Sequence, residues 1–472
     1  MVLHGTLCGR VGRCQARYYI LKKPLPFKEE VFYFMGDFML PIKKLSSLSN
    51  NELNKLLFRF GDDFSKIMTE TVIPIVNDVK NRGDRAVIDY TEKFDNYRLN
   101  SVSVSMDEID TAYNNTPSTV VQALEKAAEN IREFHSKQKK GDFSYERSDG
   151  SLLGVKYHPI DSAAIYVPGG KAAYPSTVLM GIIPAQIAGV EKITLISPPK
   201  NGGKISEPVG AACKILGITN IIKAGGAQGI AAAAFGTESV PKSELIVGPG
   251  NVFVTAAKSY LFSLGVIQID SLAGPSEVLI IADETANPKW TAWDLLSQAE
   301  HEENAEAVLV TTSMKFAEEV IKHIEEDLNS GRGRCSIKRK SIQNHALILI
   351  CDSIHEAVDF SNKYAPEHLQ LMTESPNDYI SQIKNAGSVF LGHFSPVPIG
   401  DYFSGTNHIL PTGGAARFSS GLSVDTFIRR MTYQNITSNG LKNASKYVQS
   451  ISEIEGFGDK HGGTVNLRFS NS

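Results

Sequence analysis

Cysteine is scarce and badly spaced for a scaffold. The five thiols, Cys8, Cys14, Cys213, Cys335 and Cys351, are odd in number and form no CxxC pair. That argues against a disulfide framework and for a reducing compartment. Any metal is then left to histidine, carboxylate or amide groups. Long apolar runs are also missing. The best candidate, Val178 to Val190, is too short to span a bilayer and contains Pro184. There is no surplus of positive charge. The formal net charge is −3, which argues against a nucleic-acid binder, although a local basic patch would not show in that sum. Acids are absent from the first 28 residues, which hold six Lys or Arg and no Ser. Without an apolar core this stretch is no secretion signal, and without serine it is a poor transit peptide. We read 1–39 as a basic extension outside the fold, with Met35 or Met39 as the natural start. Organellar targeting is the open alternative to a cytoplasmic location.

What is present suits a globular protein with a sizeable core: 42% hydrophobic and 21% charged residues over 472 positions, enough for two or more domains. From Ile42 to Lys93 the spacing is helical. A further helix is capped by Thr116, carries Pro117 in its first turn and aligns Val120, Leu124, Ala127, Ile131 and Phe134 on one face. After Gly150 short β-branched runs alternate with helices, and each run stops at a turn. Ala163 to Val167 ends at Pro168-Gly169-Gly170, Lys192 to Ser197 at Pro198-Pro199, Ile221-Ile222 before Gly225-Gly226, and Leu245 to Val247 at Gly248-Pro249-Gly250. The pattern recurs at 278–281, 307–311, 347–350 and 388–391, with a helix over 290–301. This texture predicts a mostly parallel sheet in two similar α/β units. The chain from about Ser423 returns to helix and loop and is too small to bury a core alone.

Several segments carry chemistry. Gln298-Ala299-Glu300-His301 puts an amide and an imidazole on one helical face, where they could share a metal ion. Alone, the pattern fits a packed histidine better, and Ala305 stands where HExxH would need its second His. Gly400 to His408 is a glycine-punctuated loop with Asp401 and His408, equally readable as a turn. Glu367-His368 after Pro366 offers a base and an acid on one segment, or only a helix-start carboxylate. Glu455 and His461 alone read as surface residues. The glycine-ended strands suit a nucleotide beyond their carboxyl ends, yet none is GxGxxG and they could merely turn the chain.

Together, Tyr166 to Gly170, Ala224 to Gln228, Gly248 to Asn251, Ala273 to Glu277, Gln298 to His301, Ala365 to Leu369 and Gly400 to Thr412 resemble the histidinol dehydrogenase family, from about Leu40 onward. The resemblance implies two incomplete Rossmann-like units plus small helical N- and C-terminal segments. The units would comprise 40–165 with 276–420, and 166–275. Residues 421–472 would cross to the partner of a homodimer with shared active sites. It implies oxidation of L-histidinol to L-histidine, the last step of histidine biosynthesis, with one zinc per subunit and NAD. The implied zinc ligands are Gln298, His301, Asp401 and the partner subunit's His461. Substrate contacts are Ser276, His408 and the partner subunit's Glu455, together with the zinc ligands and the catalytic pair, Glu367 and His368. NAD contacts are Tyr166, Gln228 and Asn251. Five residues separate Glu455 from His461, one more than is usual in the family. The expected partner is a small molecule, with no nucleic acid and no membrane. A same-fold enzyme for another small polar alcohol, a non-catalytic binding protein and a zinc hydrolase are the alternatives.

Overall fold

The computed structural model describes residues 31–35, 38–57, 59, 64–169, 173–271 and 274–469. The basic stretch up to residue 30 lies outside the described residues. Val31–Met35 pairs antiparallel with Phe38–Lys44, so the boundary expected at residue 40 falls within a strand.

Two parallel sheets organise the chain. One has seven strands in the order Val31–Met35, Phe38–Lys44, Ala346–Ile350, Glu306–Thr311, Glu277–Ala282, His368–Met372 and Ser388–Leu391. It is parallel throughout except for its first pair. The other has five parallel strands: Ile221–Lys223, Lys192–Ser197, Ser162–Tyr166, Leu245–Val247 and Gln268–Ile269. A three-stranded antiparallel ribbon joins Ile428–Asn435, Leu152–Pro159 and Phe143–Glu146.

The central strands are apolar on both faces because helices cover both. Side chains alternate along a strand, so Ala163 and Ile165 enter one core while Ala164 and Tyr166 enter another. In the larger sheet Val278 and Ile280 face one core, Leu279 and Ile281 the other. This is the sequence signature of buried parallel strands. Helix Pro175–Ala188 is buried along most of its length. Its Gly181 lies against Ile165, where a β-carbon would stand 2.4 Å from the isoleucine Cγ2.

Three local expectations are corrected. Ile42 belongs to a strand, and helix begins only at Asn50. Thr116 ends the preceding helix, its hydroxyl donating to the carbonyl of Ala112, and does not cap Ser118–Ser136. That helix buries Val121, Leu124, Ala128 and Ile131, leaving Phe134 42% exposed. The C-terminal part also contains the strand Ile428–Asn435, whose polar, exposed sequence IRRMTYQN gives little apolar alternation to read.

Candidate active site

The two sheets face each other across a cavity of about 350 Å³. The five-stranded sheet contributes carboxyl ends: Pro168-Gly169 after one strand, Gly248 to Asn251 after another. The seven-stranded sheet contributes amino ends, because Glu277 and His368 are the first residues of adjacent strands.

That end position explains the geometry of Glu367 and His368. The amide of Glu277 donates to Glu367 Oε2 at 2.8 Å, and the carbonyl of Glu277 accepts from His368 Nδ1 at 2.9 Å. A carbonyl only accepts, so Nδ1 carries the imidazole proton. His368 Nε2 is then a bare lone pair. It is buried, without a hydrogen-bond partner among the described residues, and 3.9 Å from Asp401 Oδ1. Burial pushes the His368 imidazole down to about 4, since a charged ring would lose its hydration. Burial also raises the Glu367 carboxyl well above its usual range, against the pull of the Glu277 amide. The pair follows Ala365, which adopts φ 53°, a left-handed conformation costly for a residue with a β-carbon.

Helix Val397–Tyr402 brings in Asp401, whose carboxyl is raised to about 7 by burial. Its backbone carbonyl accepts from His408 Nδ1 at 3.1 Å, leaving His408 Nε2 to accept from the Thr177 hydroxyl at 3.1 Å. Burial lowers the His408 imidazole to about 4. His301 follows the end of helix Pro288–Ala299 and opens to solvent at the cavity mouth. Its amide bonds to the carbonyl of Gln298 at 3.1 Å. Gln298 is buried, with Nε2 unpartnered among the described residues.

The cavity thus gathers Ser276, His301, Glu367, His368, Asp401 and His408, with Asn251 on the opposite wall. Asn251 caps helix Val252–Ser263 by accepting from the amides of Phe253 and Val254. Gly248 has φ 117°, and a β-carbon there would sit 2.1 Å from the carbonyl oxygen of Tyr166. Tyr166 and Gln228 are buried and do not line the cavity. The Tyr166 hydroxyl accepts from the Gly226 amide at 3.1 Å, and the buried Gln228 Oε1 is unpartnered among the described residues. Glu455 and His461 do not line the cavity of their own chain. They are exposed, on and after helix Ser438–Ile454, which also exposes Tyr447, Ile451 and Ile454 along one face. Among the described residues no three His, Cys, Asp or Glu converge as a complete metal site. A second cavity, of about 650 Å³, adjoins the first, shares His301, Asp401 and Tyr402 with it, and is walled by Val120, Leu124 and Ala127.

Sequence reasoning gives no role to Glu277 or Arg59. Arg59 donates from Nε and Nη2 to the two carboxylate oxygens of Glu277, at 3.0 and 2.9 Å. Glu277 stands inside a quoted motif and could have been questioned as an acid opening an apolar strand. Arg59 has no local signal, because apart from the Leu56 carbonyl its partners Glu277, Tyr364 and Glu306 lie hundreds of positions away.

The family model described as histidinol dehydrogenase matches residues 60–469. A histidinol dehydrogenase of Leptospira biflexa is 49% identical over 400 residues, covering 85% of this chain and 92% of that protein. One from Methanocaldococcus jannaschii is 47% identical over 417 residues, covering 88% and 96%. The crystal structure of histidinol dehydrogenase from Elizabethkingia anophelis superposes with a TM-score of 0.84 at 41% identity, covering 89% of this chain and 96% of that one. A match of this extent, in sequence and in fold, makes the chain a member of the histidinol dehydrogenase family.

Proposed function

We propose that this enzyme oxidises L-histidinol to L-histidine in two steps through an aldehyde, with NAD accepting hydride each time. The observation that carries the reading is His368, buried beside Glu367 with one nitrogen committed to a carbonyl and the other free toward the cavity. A base must reach the proton it takes with a lone pair to spare, and Nε2 meets that requirement. The Nε2 of His368 takes the hydroxyl proton as the carbinol carbon gives up hydride. Glu367 then takes a proton from the water that adds to the aldehyde while His368 returns its proton to the carbonyl oxygen, and the resulting diol passes a hydroxyl proton to His368 as its carbon gives the second hydride to NAD. Burial of Glu367 makes its ionised form the stronger base.

One zinc ion per subunit suits the donor set. Asp401 is a buried carboxyl that pairs with no lysine or arginine among the described residues. A dication would satisfy it, beside the imidazole of His301 and the amide of Gln298. The partner subunit's His461 would be the fourth ligand, which accounts for the incomplete set in one chain. When bound, the metal would fix the substrate's amino and imidazole nitrogens and hold the alcohol in register. Ser276, His408 and the partner subunit's Glu455 complete the substrate contacts. Tyr166, Gln228 and Asn251 serve the NAD side. Residues 421–472 are the crossing segment of a homodimer, a reading supported by the exposed apolar face of helix Ser438–Ile454 and the apolar cavity beside His301. Among the described residues no helix is long and apolar enough to cross a membrane. We assign the enzyme to the cytoplasm.

Zinc-loaded protein should form two NADH per histidinol, with chelation abolishing turnover and zinc restoring it. Equal rates on amino alcohols that lack an imidazole would overturn the substrate assignment. No NADH with any alcohol would overturn the enzyme assignment.

A further inference from the structure

Glu277 is the hub of the catalytic floor. Its amide holds Glu367 and its carbonyl holds His368. Its side chain points the other way, into a buried cluster. Arg59 grips both carboxylate oxygens, and the Gly413 amide donates to Oε1 at 2.6 Å. The side chains of Arg59 and Glu277 are 4% and 1% exposed. Arg59 also reaches the end of helix Ile354–Tyr364, which leads into the second strand. Its Nη2 donates to the carbonyl of Tyr364 at 3.0 Å, and its guanidinium carbon lies 3.7 Å from the centre of the Tyr364 ring. The Tyr364 hydroxyl donates to Glu306, whose carboxylate is 3.5 Å from Arg59 Nε.

One guanidinium therefore clamps two chain segments that must stay in register: the start of Glu277–Ala282 and the approach to His368–Met372. Between Tyr364 and Glu367 lies left-handed Ala365, a conformation that persists only where surrounding contacts over-determine it. The clamp supplies those contacts on one side of Ala365, and the Glu277 backbone supplies them on the other. A bidentate guanidinium–carboxylate pair is directional, so it fixes orientation as well as distance.

We infer that Arg59 is a positioning residue for the reaction, acting through Glu277 and Tyr364 to hold Glu367 and His368 at their working geometry. The inference rests on the reading of those two residues as the proton-handling pair.

The test is a double-mutant cycle. Arg59→Lys keeps the charge and loses the fork. It should lower kcat about 30-fold while KM for histidinol and NAD, and zinc content, stay within twofold. In a His368→Asn background the same change should cost less than about threefold, because the group it positions is already gone. Damage that merely unfolds part of the protein would multiply the loss equally in both backgrounds, and that result overturns the inference. Glu277→Gln is the second variant. It retains both backbone contacts and the side-chain volume but cannot accept twice from Arg59, so it should reproduce the kcat-specific loss. A rise in KM with kcat unchanged in both variants would also overturn it. If His368→Asn itself left turnover intact, the proton-handling reading would fall. A damaged His368→Asn with multiplicative Arg59 losses would end only the positioning role.

Discussion

The two walls of the cavity are built on opposite logics. On one side the five-stranded sheet ends in backbone: Pro168-Gly169 and Gly248 to Asn251 turn away from their strands and leave open space and peptide groups. On the other the seven-stranded sheet begins with buried ionisable side chains, and Glu367, His368 and Glu277 are all shifted by burial. The first wall is defined by atoms that must be missing. The second is defined by ionisable groups whose desolvation the fold must offset with contacts such as the Arg59 fork. Substitutions on the first wall should therefore act by filling space, and those on the second by removing chemistry.

The largest expected effect tests the second wall. His368→Asn should lower kcat about 1,000-fold, within the usual range for a general base and worth about 4 kcal/mol of barrier, with zinc content unchanged by metal analysis. Retained turnover would mean that this wall is structural only. Gly248→Ala tests the first wall. With φ 117° and a β-carbon driven into the Tyr166 carbonyl, it should cost about 2–3 kcal/mol in denaturant unfolding. The KM for NAD should rise more than that for histidinol. If alanine is tolerated with normal KM values, the wall does not depend on empty space.

The smallest effect is in acid. Burial lowers the His368 imidazole from its ordinary 6.5 to about 4 in the folded state, so the unfolded chain binds its proton first. The neutral ring's contribution is fully present above 6.5 and is lost as pH falls toward 4. Between pH 7 and pH 5 this linkage should remove about 2 kcal/mol from the wild type and nothing from His368→Asn. Parallel acid curves for the two proteins would show that burial of this ring carries no such cost.

Much of the architecture is legible in the sequence because fully buried parallel strands write short continuous apolar runs that end at glycine or proline. Lys192–Ser197 and Leu245–Val247 occupy the positions such runs predict. The antiparallel ribbon is not legible. Leu152–Pro159 alternates weakly, and Ile428–Asn435 is mostly exposed, so neither carries the hydrophobic period that marks a strand. The Thr116 expectation fails because a threonine between two helices serves the end of one as readily as the start of the next. At the site, Glu367, His368 and Asp401 are ambiguous by local pattern alone and take on roles only through the resemblance of the combined segments to a family. Arg59 takes on none, since nothing near it in sequence explains why a guanidinium should be buried. Glu455 and His461 have no neighbours in a single chain that would reveal a purpose.

The strand Ile428–Asn435 fastens the C-terminal segment to Leu152–Pro159 along its full eight-residue length. From that root the 17-residue helix Ser438–Ile454 extends about 25 Å at the usual rise per residue. In the proposed dimer the tip carrying Glu455 and His461 would be the end of a stiff lever with a fixed fulcrum, reaching the partner's site by aim rather than by diffusive search. Shortening the lever by one turn would move the tip by about 5 Å while leaving both cores untouched.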